Sequence, residues 1–415
     1  MTDLDNKSPR VFYGWYIVGA CLLLTLYSGG AVILGFTAFF EPIANEFGWS
    51  YTQVSLAASL REATVGIIAP LIGFLVDRWG PRRLLLSGTI LLGLSFILLS
   101  RTSSLAMFYG FFAIVALGIS GLSPTVFIAT VSNWFRRKAG LAIGIMTCGM
   151  ALGSLLVPVI VKLIDVYDWR NAIFILGIGA WGIGIPLSLL VRHKPEQYGY
   201  LPDNDKNASV IPDENSAAEK DTEVNISVKE ALKSRAFWQI GLAMTLVFLS
   251  ISTVIVHVMP YLSSVGIARS TSGMVATAIP LISIVGRLSS GWLADRFNKK
   301  HTAVGFIVIV SVGLLFFSYA SAERMWPLIP FVILFGIGWG SHITIRAALL
   351  REYFGRSKLG TIFGFMMALS SLGAVIGPIF AGWVFDSRGS YYFAWLLFAG
   401  LVFLAAIVME TIPRR

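Results

Sequence analysis

The chain has 415 residues, 56% of them hydrophobic and only 13% charged, with a formal net charge of +10 and a mean hydropathy of +0.76. A soluble domain is about a quarter charged, so an ordinary globular protein is excluded. The positive balance does not call for nucleic acid, because basic residues in a membrane protein report its orientation. The two cysteines, Cys21 and Cys148, both fall in apolar runs, and no structural disulfide is expected.

The opening MTDLDNKSPR is polar and leads into an apolar run too long for the core of a cleavable signal peptide. Runs such as WYIVGACLLLTLYSGGAVILGF and LLLSGTILLGLSFILLS are each long enough to cross a bilayer as a helix. Twelve spans are predicted, near residues 13–39, 52–76, 84–100, 105–133, 139–163, 171–191, 236–262, 272–294, 302–320, 327–350, 360–385 and 391–410. Between the sixth and seventh lies PEQYGYLPDNDKNASVIPDENSAAEKDTEVN, polar and acidic, with the composition of a disordered linker. The expected organisation is an N-terminal six-helix bundle over 1–194, a disordered cytoplasmic linker over 195–232 and a C-terminal six-helix bundle over 233–415. That is an all-α membrane protein of twelve transmembrane helices in two halves.

Lys7, Arg10, Arg82, Arg83, Arg136, Arg137, Lys138, Arg192 and Lys194 fall in alternate loops. Lys299, Lys300, Arg356, Lys358, Arg414 and Arg415 continue the pattern. The intervening loops hold few basic residues, which places both termini and the linker in the cytoplasm. Trp15, Trp49, Trp79, Trp134 and Trp169 stand at span ends, where interfacial anchors belong.

The halves resemble each other. GFLVDRWGPRR after span two matches GWLADRFNKK after span eight, and GIMTCGMALGSLLVP in span five aligns with GFMMALSSLGAVIGP in span eleven. The second alignment pairs Gly144 with Gly364, Gly153 with Gly373 and Pro158 with Pro378. Small residues let helices approach closely, and these glycines are expected to form a sliding interface between the halves. Repeated halves in parallel orientation suggest a carrier whose site lies between them near the midplane.

With these motifs the chain resembles the major facilitator superfamily over nearly its whole length. The signature G-x-L-a-D-R-x-G-R-R of that superfamily stands here as Gly73, Leu75, Asp77, Arg78, Gly80, Arg82 and Arg83, with a degenerate second copy at Gly291, Leu293, Asp295 and Arg296. The resemblance implies that these residues form a charge-relay latch at the inner ends of the halves. Plain positive-inside anchoring would account for the arginines but not for Asp77 and Asp295.

FYGW, FFEPIANEFGWS, VHVMPYLSSVGI, VGRLSSGWLADRF and YFGRSKLGTIFG look like the bacterial branch related to monocarboxylate transporters and oxalate/formate antiporters. In those proteins a span-eight arginine binds the substrate carboxylate; Arg287 occupies that place, and His257 precedes it in span seven. Ser283 stands where animal monocarboxylate transporters carry an aspartate. Their span-one lysine has no equivalent in residues 13–39, which with Ser283 leaves the proton carrier open. The span-eleven lysine of oxalate transporters is missing from 360–385, which argues against a dianion held by the oxalate-type pair.

Read from the residues alone, Arg287 lies ~12 Å up its helix from Asp295, close to the middle of the hydrocarbon core. A cation there costs about 2.5–3.5 kcal/mol on insertion scales and should face protein or a water-filled cavity. A guanidinium fork suits a carboxylate; the competing reading is an ion pair with Glu62 across the halves. Arg61 and Glu62 point about a quarter-turn apart, either as substrate cation and proton-coupling group or as struts with separate partners. His257 is a candidate for substrate contact and proton transfer. His342 is a candidate on the same face as Arg346, whose own position suits the inner interface. Tyr27 is a weaker candidate.

Excess interior positive charge attracts anions and disfavours a multidrug exporter. The expected function is a secondary transporter of small carboxylates, lactate- or pyruvate-like, moving with a proton by alternating access. The alternative is an anion exchanger of the oxalate/formate kind. A ligand-binding receptor without net transport ranks below both. No nucleotide loop, clustered metal ligands or nucleophile–base arrangement suggests an enzyme. No cofactor or metal is expected. The expected partners are a small carboxylate, protons and the lipid of a bacterial inner membrane, with the protein as a monomer.

Overall fold

The computed structural model of the chain describes residues 12–135, 139–193, 195–198, 227–354 and 359–413. The N-terminal half runs α1 (Tyr13–Ser28), a π-helical turn (Gly29–Leu34), α2 (Phe36–Phe47), α3 (Tyr51–Trp79), α4 (Pro81–Leu99), α5 (Leu105–Gly121), α6 (Pro124–Trp134), α7 (Ala139–Leu152) and α8 (Leu156–Leu190). After a short helix α9 (Val228–Lys233), the second half holds α10 (Arg235–Ser264), α11 (Arg269–Arg296), α12 (Lys299–Ser318), α13 (Leu328–Phe354), α14 (Leu359–Arg388) and α15 (Tyr392–Glu410). No strand occurs among the described residues.

Ten helical segments among the described residues are long and apolar enough to cross a membrane. One of them, Leu141–Leu190, is 50 residues long. It turns back at Asp168, whose φ of 69° and ψ of 169° interrupt α8. The Asp168 carboxylate accepts from the backbone N–H groups of Arg170 and Asn171, so it starts the second arm as an N-cap. The 29-residue α3 also has ample length, ~44 Å, but carries Arg61 and Glu62 in its interior. With both arms of the long segment counted separately and α3 added, twelve helical stretches among the described residues have the length of a crossing.

The described residues begin and end on one face. There Tyr353 donates to the Pro413 carbonyl, Lys300 to that of Glu410, and Trp134 to that of Arg192. We call this the terminal face and its opposite the distal face. Gly80 makes the turn from α3 to α4 there with a φ of 78°, which an L side chain rarely adopts, and Pro81 opens α4 with its φ already helical.

Three expectations need correction. The linker expected over 195–232 overlaps α9, which begins on a capping box between Ser227 and Glu230. Ser227, through its backbone and then its hydroxyl, holds the Glu230 carboxyl below its usual range. Residues 199–226 of that linker lie outside the described residues. Second, Gly153 and Gly373, paired between spans five and eleven, do not lie between the halves. A Cβ on Gly153 would meet the backbone of α1 and the π-turn, and one on Gly373 would meet α10, so both serve packing within a half. They do so in matching places, span five on span one and span eleven on span seven, which carries the repeat into three dimensions. Third, Trp134 and Trp169 are buried and bonded to Arg192 and Glu46, not anchored in lipid.

Candidate functional site

The two halves are stitched together at the distal face. Asp386, near the end of α14, accepts from the backbone N–H groups of Tyr51 at 2.9 Å and Thr52 at 2.8 Å, and from the Thr52 hydroxyl. A carboxylate of one half thus sits on the N-terminus of α3 in the other, where free N–H groups and the helix dipole favour negative charge. Arg269, at the start of α11, donates to the Ala38 carbonyl at 2.8 Å and pairs with Asp165 at 3.5 Å.

His257 belongs to this seal. It lies ~10 Å from the distal end of α10 and is fully buried. Its Nε2 is 2.9 Å from the Pro378 carbonyl and 3.0 Å from Ser55 Oγ. Its Nδ1 is 2.9 Å from the Tyr391 hydroxyl. A carbonyl can only accept, so Nε2 carries the proton and Nδ1 accepts from Tyr391. The Ser55 hydroxyl donates instead to Tyr51, at 2.6 Å. The neutral imidazole is therefore satisfied on both nitrogens. Sequence reasoning placed His257 with the substrate; the structure places it in the closed distal seam, because it sits near the end of its helix.

Arg61 is also already paired. Its Nη2 is 2.8 Å from Glu62 and its Nε 3.2 Å from the same carboxylate oxygen. Its Nη1 donates to the Val32 carbonyl at 2.9 Å. Val32 lies in the π-helical turn of span one, where Gly35 N–H bonds back five residues to the Gly30 carbonyl. Such a turn departs from the regular ladder and offers carbonyls to side chains. The two charges neutralise each other within α3, and Arg61 also braces that helix against the π-helical turn of span one. Tyr27 donates to the Leu176 carbonyl inside the N-terminal half and does not join Arg287.

Arg287 stands differently. Among the described residues its one side-chain hydrogen bond crosses the seam to the Thr147 carbonyl of α7, at 3.4 Å, and its Nε is buried without a hydrogen-bond partner. No carboxylate lies within ion-pair distance of it among the described residues, so the pairing with Glu62 does not form. α11 and α13 pack so closely here that a Cβ on Gly340 would strike the Ser283 carbonyl and one on Gly286 the Ile337 carbonyl. Ser283, where an acid would sit in animal monocarboxylate transporters, is fully buried and donates to the Pro280 carbonyl at 2.6 Å. On α13, His342 is buried with its ring parallel to Phe248 at 5.8 Å and its Nε2 unpartnered.

The residues of the two signature copies lie toward the terminal face. Arg78, Arg82 and Arg83 are exposed, and Arg296 stacks on Trp292 at 4.3 Å. Gly73 has open space around it, and Gly291 lies near Thr344. The side chains of Asp77 and Asp295 lie outside the described residues. Sequence reasoning missed Asp386 and Arg269, since a charge at a span end looks like any loop charge.

A polytopic all-helical membrane protein of two repeated halves, sealed at one face, is the architecture of a carrier. The chain belongs to the Major Facilitator Superfamily, whose family model matches residues 20–268 and 248–414. It is 27% identical over 447 residues to monocarboxylate transporter 12 of Mus musculus, covering 99% of this chain and 88% of that protein. It is 23% identical over 398 residues to the uncharacterised MFS-type transporter YcxA of Bacillus subtilis, covering 91% and 90%. The fold is that of a bacterial homologue of the human lysosomal transporter Spinster, solved inward-facing and occupied. That match has a TM-score of 0.74 at 16% identity and covers 96% of both chains.

Proposed function

We propose that this chain is a secondary carrier of small carboxylates, working by alternating access, with Arg287 as the residue that binds the carboxylate. The observation that carries this is the guanidinium of Arg287, mid-depth at the seam between the halves, with no acid within ion-pair distance among the described residues. A buried cation without a partner costs several kcal/mol. A carboxylate bound in a bidentate fork would offset that cost and supply geometric selectivity. The relatives named monocarboxylate transporters support the substrate class, and lactate is the first probe. By the basic-residue pattern the terminal face is the cytoplasmic one, in a bacterial inner membrane, and the latch around Asp77 and Asp295 would close that side in the opposite state.

Coupling follows from the charges. Proton symport would have to run through Glu62, by releasing it from Arg61, since His257 is occupied in the seal. Exchange is favoured by one observation: no free acid faces Arg287 among the described residues. The empty carrier then keeps its charge and returns most readily with a counter-anion.

The test is uptake of labelled lactate into proteoliposomes by wild type and Arg287→Gln, with an inward proton gradient or with internal carboxylate. Uptake abolished by Arg287→Gln is the expected result. Stimulation by internal carboxylate marks exchange, and dependence on the gradient marks symport. Carboxylates that neither bind nor move while the protein stays folded would remove the assignment.

A further inference from the structure

The chain holds three deeply placed arginines, and it treats them in two ways. Arg61, 3% exposed, has an acid and a carbonyl. Arg346 is equally buried at 3%, yet among the described residues it has no ion pair and its Nε has no hydrogen-bond partner. Its guanidinium carbon lies 4.9 Å from the centroid of the Phe363 ring of α14. A cation–π contact returns about 0.5–2 kcal/mol, whereas an uncompensated buried ion costs several. Phe363 alone does not balance Arg346. Arg287 has the same deficit.

The two unbalanced cations are near each other in the fold. A Cβ on Gly340 would lie against the backbone N of Arg287, which sets Arg287 level with Gly340 on the parallel helix α13. Arg346 is six residues further along α13, ~9 Å toward the terminal face. His342, 5% exposed with an unpartnered Nε2, lies between them in depth and on the same helical face as Arg346. Two guanidinium groups without an acid among the described residues, that of Arg346 buried and that of Arg287 half-buried, on two helices packed backbone to backbone, leave two unbalanced positive charges in the empty carrier.

We propose that Arg287 and Arg346 form a two-point anion site and that the substrate is a short dicarboxylate, one carboxylate on each guanidinium. This rests on the assignment of Arg287 to a carboxylate. A monocarboxylate would leave one buried charge unbalanced, and a proton carried with it would add to the excess. A dianion brings the pair to neutrality and needs no proton. The pair differs from the arginine–lysine arrangement of oxalate transporters, since Arg346 comes from span ten and no lysine is involved.

The experiment is equilibrium binding of succinate and of lactate to the full-length protein in nanodiscs, for wild type, Arg346→Gln and Arg287→Gln, with thermal unfolding of each without ligand. Wild type should bind succinate more tightly than lactate. Arg346→Gln should weaken succinate at least about tenfold, the loss expected for one buried charge pair, and leave lactate within about twofold. Arg287→Gln should weaken both. Removing an unbalanced buried charge should leave ligand-free stability unchanged or raised; a structural arginine would lower it. Lactate bound without succinate overturns the two-point site and leaves the carboxylate assignment standing. Loss of both ligands in wild type removes both. Equal weakening of succinate and lactate by Arg346→Gln would assign Arg346 to an acid of this chain met in another conformation.

Discussion

The distal seam and the interior below it are built from the same kinds of residue and finished in opposite ways. At the seam, Asp386, His257 and Arg269 have partners on the other half or on neighbouring helices. In the interior, Arg287 and Arg346 have no acid within ion-pair distance among the described residues, and His342 keeps a buried nitrogen without a hydrogen-bond partner. Satisfied polar groups hold a conformation, whereas unsatisfied ones wait for something to arrive. The difference separates closure from recognition in a chain where both use buried histidine and arginine.

The comparison breaks most visibly at Arg287. Arg287→Gln should abolish carboxylate uptake while ligand-free thermal stability holds or rises; a drop in melting temperature would show that the arginine belongs with the satisfied group. Arg61→Leu should do the reverse. It leaves Glu62 unpaired at 30% exposure, and should cost about 2–3 kcal/mol, discounted for solvent from the 3–5 kcal/mol of a fully buried pair. The double variant with Glu62→Leu should recover most of that loss in thermal unfolding. His257→Phe removes the partners of Tyr391 and the Pro378 carbonyl and should destabilise by about 2 kcal/mol. In His257→Gln, which retains polar contacts, the pH profile of uptake should stay as in wild type; a shifted profile would return His257 to proton coupling.

The smallest effect is expected at Asp386. Asp386→Asn keeps the shape but loses the charge facing the α3 N-terminus, worth about 1 kcal/mol, or roughly a fivefold shift in how often the seam opens. The half-buried Cys148, next to Thr147, reports that opening through its rate of alkylation by an impermeant maleimide added at the distal face. An unchanged rate would mean that the seam is held elsewhere.

Much of this was legible in the sequence. Run length and the repeat located the helices, and residue counting put Arg287 at depth. Pairing was harder, because it depends on what lies sideways. Arg61 and Glu62 point apart as helix positions, yet a long flexible stem lets the guanidinium fold back onto its neighbour. Counting seven residues from the end of α10 would have put His257 near the distal face, and the resemblance outweighed that count. The partners of Arg346 and Asp386 required coordinates.

The contact between α11 and α13 has a mechanical consequence. Where a carbonyl occupies the place of a missing Cβ, at Gly340 and Gly286, two helices cannot slide without first coming apart. They act as a stiff beam. A pull on Arg287 is then not absorbed as shear within its own half but travels along that beam to wherever the half can give. The compliant joint is the distal seam, so the grip of Asp386 on α3 sets how much force a bound anion must exert before the protein moves.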